Sequence, residues 1–347
     1  MSVSTAFSGY KGRSVLITGG LGFIGSNLAR RLVQEIGDVE VIILDSLLPG
    51  QGGNIFNVAD IKDRVVVHTS SMCEDWAVNH IVGGVDYIFN LAGSVSHLQS
   101  MQNPQDDLAL NCRAQLVLLE ACRSFNPHAK IVFTSTRAVY GKPVYLPFDE
   151  NHRIAPLDVN GINKYAAENY HLLYHRVYGM RCVCLRLTNT YGPRQLLTND
   201  RHGFVGWFIR QAIDGEEIQL FGDGRQKRDL NYVDDVVDAL LLAGASEAGE
   251  GEVFNLGGSE PITLAELANE LISIAGRGSV RQAPFPPERQ LIEIGNSYSS
   301  YRKIESALKW RPRTSLRDGL AHTIQFYQKH QEHYWNGNGN GNASPIS

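Results

Sequence analysis

Short apolar runs recur along the first half of the chain and alternate with segments of helical periodicity. The runs predict six strands, at residues 15–17, 41–45, 64–68, 85–93, 131–136 and 181–187. Between the last three strands, apolar positions at helical spacing predict long helices over residues 108–125 and 161–177. Strands that alternate with helices and are apolar on both faces indicate a parallel sheet covered on both sides, so we predict a doubly wound α/β fold.

Beyond residue 188 the alternation is less regular. The pattern predicts helices at residues 205–213, 232–243, 262–274, 304–308 and 316–327, and strands at 218–221 and 252–256. Thr263 and Glu266 have the spacing of a capping box at one helix start. We predict a sheet domain of residues 12–188 and 230–258, a smaller C-terminal domain of residues 189–229 and 259–335, and a flexible, Asn- and Gly-rich tail at 336–347.

Composition excludes several classes of protein. The 347 residues carry a net charge of −4, and the charges are spread along the chain, so we expect no nucleic-acid partner. The five cysteines are odd in number and lie mostly in apolar runs, which predicts reduced, buried thiols rather than disulfides or a metal site. No apolar stretch has the length of a membrane span and the N-terminus lacks a secretory pattern, so we expect a cytoplasmic protein without a membrane partner.

The first candidate chemistry follows the first strand. Gly19, Gly22 and Gly25 recur at every third residue, and Ile24 and Leu28 begin a helical pattern immediately afterwards. A glycine turn between a buried strand and a helix brings backbone N–H groups close to a ligand, and the helix N-terminus attracts anions. The stretch therefore predicts a Rossmann-type site for the pyrophosphate of a dinucleotide.

The next strand indicates which dinucleotide binds. Asp45 ends that strand, twenty residues beyond Gly25, where an acid that binds the ribose hydroxyls is expected. No Arg or Lys occurs between Asp45 and Lys62, so no nearby cation is available for a 2′-phosphate. This pattern favours NAD over NADP.

Several segments together resemble a known family. They are residues 18–25, residues 90–93 (Asn-Leu-Ala-Gly), Asn111, residues 134–141 (Thr-Ser-Thr-Arg-Ala-Val-Tyr-Gly), residues 186–194 and residues 228–235. The chain resembles the extended short-chain dehydrogenase/reductases, and among them the NAD-dependent nucleotide-sugar epimerases and dehydratases of the UDP-glucose 4-epimerase type. The resemblance extends over residues 12–327 and implies an NAD-binding domain followed by a substrate-binding domain.

The resemblance also implies individual roles. It assigns NAD contacts to Gly19, Gly22, Phe23, Ile24, Gly25, Asp45, Leu91, Ala92, Gly93, Asn111 and Lys164. It assigns contacts with a nucleotide-sugar substrate to Ser94, Asn189, Arg194, Arg228 and Arg289, and it gives Thr136 a hydrogen bond to the reacting oxygen. Arg137 is a further candidate for the substrate because of its charge, not because of the resemblance. The family commonly dimerises through the two helices predicted at 108–125 and 161–177, so we expect a homodimer to which Leu116, Leu119, Tyr170 and Leu173 contribute, unless these side chains pack on the sheet.

The resemblance fails at the residue that removes the hydroxyl proton. A tyrosine four residues before Lys164 is expected in this family, and the chain has Asn160 there. An amide has no titratable proton near neutrality, so Asn160 can only orient a hydroxyl or a water. Three interpretations remain: His97 on the loop after the fourth strand acts as the base, Lys164 acts through a relay that Asn160 holds, or the protein binds its ligands with little or no turnover.

The residues after Thr136 narrow the choice among the reactions that this family catalyses. Related 4,6-dehydratases have an Asp-Glu pair there and related decarboxylases have a Glu, whereas this chain has Arg137 and Ala138. We therefore predict epimerisation through a transient keto-sugar, with a net nucleotide-sugar oxidoreductase and a catalytically weak binding protein as alternatives. Arg137 fits two interpretations equally, a contact to a phosphate or sugar carboxylate and a salt bridge to a nearby acid.

Overall fold

The computed structural model describes residues 7–198, 203–290 and 293–335, except for the side chains of residues 288 and 289. Within this part of the chain the strands are β1 (Arg13–Thr18), β2 (Val39–Asp45), β3 (Val65–Thr69), β4 (Tyr87–Asn90), β5 (Lys130–Thr136), β6 (Arg181–Leu187), β7 (Asn189–Tyr191), β8 (Glu217–Phe221), β9 (Lys227–Arg228), β10 (Leu230–Tyr232), β11 (Val253–Asn255), β12 (Ile262–Thr263) and β13 (Ser279–Ala283). The α-helices are α1 (Phe23–Arg30), α2 (Asp75–Ile81), α3 (His97–Gln102), α4 (Pro104–Leu108), α5 (Ala114–Phe125), α6 (Val159–Tyr178), α7 (Phe204–Asp214), α8 (Val233–Ala245), α9 (Leu264–Ala275), α10 (Pro287–Gln290), α11 (Arg302–Leu308) and α12 (Leu316–His330).

Seven strands form a parallel sheet in the order β11-β6-β5-β4-β1-β2-β3. The chain builds outward from β1 in one direction through β2 and β3, and then crosses back to β4 on the other side of β1. This reversal confirms the predicted doubly wound, Rossmann-type α/β fold. It also creates the crevice at the carboxyl ends of β1 and β4 where ligands of such sheets bind.

The central strands are buried on both faces, as their continuous apolar runs predict. Ile17 belongs to a core that includes Leu28 of α1 and Leu240 of α8. The neighbouring Leu16 belongs to a different core, with Leu118 of α5. Because successive side chains of a strand point to opposite faces, helices must cover the sheet on both sides.

A second core lies in the C-terminal part of the chain. Phe208 of α7, Leu267 of α9 and Ile324 of α12 belong to it. Beside it, β8 pairs in parallel with β13. The sequence pattern misses β13 because Arg281 and Gln282 are exposed and leave the strand without an apolar run. The predicted domain boundaries remain a prediction, and the predicted tail at 336–347 lies outside the described residues.

Elsewhere the predicted elements agree with the structure, with local differences. The helix predicted over 108–125 begins as a π-helical segment, Ala109–Arg113, and continues as α5. The short helices α2, α3 and α4 were not predicted. The capping box at Thr263 and Glu266 is confirmed by both reciprocal hydrogen bonds. All five cysteines are free, and all but Cys73 are buried. None of the described helices is long and apolar enough to cross a membrane.

Candidate active site

A cleft of about 360 Å³ opens at the carboxyl ends of the parallel strands. Its walls come from the segments that follow β1, β2, β4, β5 and β6. The predicted residues that line it are Gly19, Gly22, Phe23, Ile24, Gly25, Asp45, Leu91, Ala92, Gly93, Ser94, His97, Thr136, Arg137, Asn160, Lys164 and Asn189. Most of the residues selected from the sequence therefore meet in one place, although they are spread over 171 positions from Gly19 to Asn189.

The glycine turn closes tightly on itself at one end of the cleft. A Cβ on Gly25 would lie 2.4 Å from the carbonyl oxygen of Gly19 and 2.7 Å from the Cα of Gly20. Gly19 has a φ of +69°, and a Cβ there would lie 3.0 Å from the backbone of Ala92. Only glycine allows this approach, which places the first turn of α1 against the cleft wall. The N–H groups at that helix end suit a pyrophosphate.

Asp45 holds the same turn from the next strand. Its carboxylate accepts hydrogen bonds from the backbone N–H groups of Leu21 (3.0 Å) and Leu47 (2.9 Å). Burial raises the pKa of Asp45 above its ordinary value, although these hydrogen bonds act in the opposite direction. Among the described residues that line the cleft, the only Lys and Arg side chains are Lys164 and Arg137. Neither lies in the segment that directly follows Asp45, where residues 46–61 contain no Lys or Arg, so that segment offers no cation to a 2′-phosphate.

Lys164 lies on the cleft wall, buried beneath the strand ends. Its Nζ donates to the carbonyl oxygen of Thr134 (3.3 Å) and lies 5.2 Å from the ring centroid of Phe133. Burial lowers the pKa of Lys164 to about 8, while the carboxylate of Asp107 acts in the opposite direction. A Cβ on Gly93 would lie 2.9 Å from this Nζ and 2.4 Å from Asn111 Oδ1, so glycine leaves open the space above both polar atoms.

The helix that carries Lys164 is anchored to the sheet. Glu168, one turn further along α6, forms a buried two-pronged ion pair with Arg186 of β6 at 2.6 and 2.9 Å. Arg186 also donates to the hydroxyl of Tyr140 (2.6 Å). Because this pairing is geometrically specific, it fixes the position of α6 relative to the strand ends.

Asn160 occupies the first turn of α6 and is buried. Its side-chain N–H groups donate to the carbonyl oxygen of Ser94 (2.9 Å) and to Asp107 Oδ2 (3.0 Å). Both partners are acceptors, so the amide nitrogen must be the atom that faces them. With its donors occupied, Asn160 offers the cleft only a carbonyl oxygen, which accepts a hydrogen bond from a hydroxyl or a water.

The sequence reasoning missed the carboxylate that organises these amides. Asp107 is 3% exposed and accepts hydrogen bonds from Asn111 (3.0 Å), Asn160 (3.0 Å) and Asn163 (2.8 Å). Asp107 directly precedes the helix predicted over 108–125, and its neighbours Asp106 and Leu108 are both exposed, so no pattern in the sequence singles it out. The three asparagines were not recognisable as its partners, because they meet it only in the folded chain.

His97 also has a partner that the sequence did not reveal. Its Nδ1 lies 2.7 Å from Asp158 Oδ2, and Asp158 caps α6 by accepting from the N–H of Gly161 (2.7 Å). Burial alone would raise the pKa of Asp158, but the hydrogen bond from His97 brings it below its ordinary value. A carboxylate that accepts from Nδ1–H fixes the tautomer and leaves Nε2 with a lone pair. Together the two residues form a histidine–aspartate pair at the cleft, with the imidazole 44% exposed.

Thr136 and Arg137 end β5 on the opposite wall. The Thr136 hydroxyl accepts from the N–H of Ala138 (3.1 Å), and among the described residues its own hydrogen has no acceptor. Arg137 donates to Ser297 Oγ (2.8 Å) and Asn189 Oδ1 (3.4 Å). Arg228 lies behind Arg137, close enough for the two positive charges to interact, and pairs with Glu293 (3.4 Å).

Comparison with known proteins shows to which family the chain belongs. The model of the NAD dependent epimerase/dehydratase family matches residues 15–257. The chain belongs to this family. It is 31% identical to the UDP-glucose 4-epimerase of Mycolicibacterium smegmatis, over 90% of this chain and 98% of that protein. It is 30% identical to the dTDP-glucose 4,6-dehydratase of Streptomyces niveus, over 90% and 92% of the two chains. The solved structure of UDP-glucose 4-epimerase from Thermotoga maritima with UDP-glucose superposes with a TM-score of 0.82 at 32% identity, covering 92% of this chain and 99% of that one.

The cofactor of the family, NAD, fits the cleft. The glycine turn leaves room for a pyrophosphate. Asp45 lies at the end of β2, and no Lys or Arg follows it before Lys62. Asn111 Oδ1 is buried without a hydrogen-bond partner among the described residues, beside the space that Gly93 keeps open. An unpaired buried acceptor is costly, which suits a site that a ligand completes.

A few predicted residues are not among those that line the cleft, and two of them, Asn111 and Arg228, are buried beside it. Arg194 donates to Asn27 Oδ1 (2.9 Å) and lies 5.0 Å from the ring centroid of Phe326, and it is not among the residues that line the cleft. The side chain of Arg289 lies outside the described residues, so its substrate contact stays a prediction. Of the four residues expected at a homodimer face, Leu119 is fully buried in the core on one side of the sheet. Leu173 is 38% exposed on α6, and the homodimer itself stays a prediction.

Proposed function

We propose that the protein epimerises the sugar of a nucleotide-diphosphate sugar through a transient keto-sugar. The observation that carries this proposal is the combination of an NAD-compatible cleft with the absence of acid side chains at positions 137 and 138, where Arg137 and Ala138 stand. Elimination of a hydroxyl needs a general acid near that hydroxyl, and neither residue supplies one. NAD, when bound, accepts a hydride from the sugar and returns it.

The residues of the chain have separate tasks in this proposal. Thr136 donates a hydrogen bond to the reacting sugar oxygen, because its hydroxyl hydrogen has no acceptor among the described residues. Asn160 accepts a hydrogen bond from the same hydroxyl or from a bridging water, because its amide hydrogens are occupied. Asn189 and Arg228 contact the diphosphate. None of these groups removes the hydroxyl proton at neutral pH.

The proton acceptor in the proposal is His97. Asp158 holds the proton on Nδ1 and leaves the lone pair of Nε2 available, which is the arrangement of a general base oriented by a carboxylate. The proton then stays on the imidazole while the keto-sugar turns over, and returns to the sugar oxygen when the hydride comes back. Asp158 stabilises the imidazolium that exists in between.

The test compares His97→Ala with the wild-type protein on a panel of UDP-, dTDP-, CDP- and GDP-sugars. We expect turnover to fall about 100-fold or more, the range of general-base contributions, with bound NAD unchanged. Asp158→Asn removes the orienting charge and should lower turnover while leaving substrate affinity intact. His175→Ala is the matched control, because His175 is a half-buried histidine of α6 whose Nδ1 lies 2.8 Å from the carbonyl oxygen of Met180 and which does not line the cleft.

Two outcomes would favour other functions. A wild-type protein that releases NADH in proportion to product is an oxidoreductase. A wild-type protein that shows neither turnover nor NADH absorbance with any sugar of the panel is a binding protein, and epimerisation is then refuted. Unchanged turnover in His97→Ala would refute the role of His97 alone.

A further inference from the structure

Arg137 brings a positive charge into the cleft beside the residue that contacts the reacting oxygen. It is the first residue after β5, directly follows Thr136, and its half-buried side chain lines the cleft. The N-terminal part of a 3-10 turn, Arg137–Tyr140, fixes its backbone. A guanidinium in this place is close to whatever group the substrate carries next to its reacting carbon.

The protein gives this guanidinium no carboxylate. Its two hydrogen-bond acceptors, Ser297 Oγ and Asn189 Oδ1, are both neutral. Among the side chains that the structure describes, no Asp or Glu oxygen lies within 4.0 Å of it, which removes the salt bridge that the sequence left open. By contrast, the buried Arg186 and Arg228 each have a glutamate partner, Glu168 and Glu293.

The nearest described carboxylates act on the charge of Arg137 only from a distance, without contacting its guanidinium. Burial and the nearby positive charge of Arg228 lower the pKa of Arg137 to about 10, although Asp229, Glu293 and Asp158 attract it from a distance. Five N–H groups belong to a guanidinium, and the two acceptors occupy two of them. Three of its donors thus have no acceptor among the described residues, and they belong to the planar fork that matches a carboxylate.

We propose that the sugar of the substrate carries a carboxylate, as in a nucleotide hexuronate, and that Arg137 binds it. The inference rests on the proposed function, because Thr136 then holds the reacting oxygen and places the adjacent guanidinium beside the sugar. Arg228, which has its own glutamate, is left to the diphosphate. The carboxylate of the substrate supplies the direct contact with a negative charge that the described side chains do not give Arg137.

The test is calorimetric titration of the NAD-loaded protein with matched hexose and hexuronate pairs, UDP-glucose against UDP-glucuronate and the corresponding dTDP and CDP pairs. For at least one nucleotide we expect the hexuronate to bind about 10- to 100-fold more tightly, the effect of a charge-assisted, two-pronged hydrogen bond. Arg137→Met should remove this preference and leave hexose affinity within about twofold. Arg137→Lys, which keeps the charge without the fork, should retain part of it.

Arg153→Met, a change of the same kind at an exposed arginine outside the cleft, serves as the control and should match the wild type. Equal or weaker binding of the hexuronate with every nucleotide would overturn the proposal without any variant. A loss of hexose and hexuronate affinity in equal proportion in Arg137→Met would also overturn it, because Arg137 then binds the diphosphate. Titration needs no turnover, so its result can be separated from that of the activity assay. If the protein epimerises a neutral sugar but does not prefer hexuronates, the carboxylate proposal is refuted and the proposed function stands. If it prefers hexuronates but shows no turnover, the proposed function is refuted and the binding role of Arg137 stands.

Discussion

Asp107 gives the sharpest test of how the altered site is held together. Asp107→Asn keeps the shape of the side chain but removes its charge and one of its two acceptor oxygens. In the native chain Oδ2 accepts from Asn111 and Asn160, and Oδ1 accepts from Asn163. The variant must therefore place an amide nitrogen against at least one donor.

The size of the effect follows from these contacts. Asn111 and Asn160 keep a second acceptor, the carbonyl oxygen of Ser94, and lose only the charge assistance of one bond each. Asn163 loses its one described acceptor and leaves a buried donor unpaired. Each of the two weakened bonds costs about 1 kcal/mol and the unpaired donor costs about 1–3 kcal/mol. The variant no longer buries a charge, which offsets part of this cost, so we expect the free energy of unfolding to fall by about 3 kcal/mol.

Thermal unfolding followed by circular dichroism measures this loss. An unfolding entropy of about 2.1 cal/mol/K per residue, over 347 residues, converts about 3 kcal/mol into a fall of about 4 °C in Tm. Asp106→Asn is the matched control, because Asp106 precedes Asp107 on α4 and is exposed, and it should change Tm by less than about 1 °C. A Tm for Asp107→Asn within about 1 °C of that control would refute the claim that this carboxylate organises the three amides.

Two further predictions concern the cofactor turn and the buried lysine. Gly25→Ala places a Cβ 2.4 Å from the Gly19 carbonyl oxygen, so the purified variant should retain less than about a tenth of the NAD found in the wild type. Gly83→Ala is the control and should retain all of it, because a Cβ there meets nothing within 4 Å. Equal NAD content in both variants contradicts the role of the turn. Burial lowers the pKa of Lys164 to about 8 in the folded chain, so between pH 8 and pH 10.5 the folded chain has released a proton that the unfolded chain still holds. Lys164 therefore makes the free energy of unfolding rise with pH across that window. Urea unfolding should therefore show the wild type gaining up to about 3 kcal/mol relative to Lys164→Met as the pH rises through the window, and a constant difference would contradict the lowered pKa.

The sequence could predict the fold and the cofactor end of the cleft, because the signals there are local. The apolar strand, the glycine turn after it and Asp45 lie within 31 residues, from Val15 to Asp45, and each constrains the backbone directly. The capping box at Thr263 has the same local character. Such features depend on neighbours in the chain, and the folded structure leaves them unchanged.

The proton-transfer end could be predicted only in part. His97 was chosen for its position, but its partner Asp158 is 61 residues away and meets it only when α3 packs on α6. Asp107 meets Asn163 across 56 residues in the same way. Side chains that come together through packing of helices carry no spacing pattern in the sequence, so the charge that orients each of them was not visible before the fold was known.

The central claim is that the sugar carbon is inverted by removal and return of one hydride, without the usual tyrosine. The most direct measurement is NMR of the product formed in D₂O by the wild-type protein without added cofactor, using the sugar of the panel that it converts. The account predicts interconversion of two epimers with no deuterium at the inverted carbon, because the hydride returns from the bound cofactor. Deuterium at the inverted carbon, a product that has lost water or carbon dioxide, or no conversion of any sugar would contradict it.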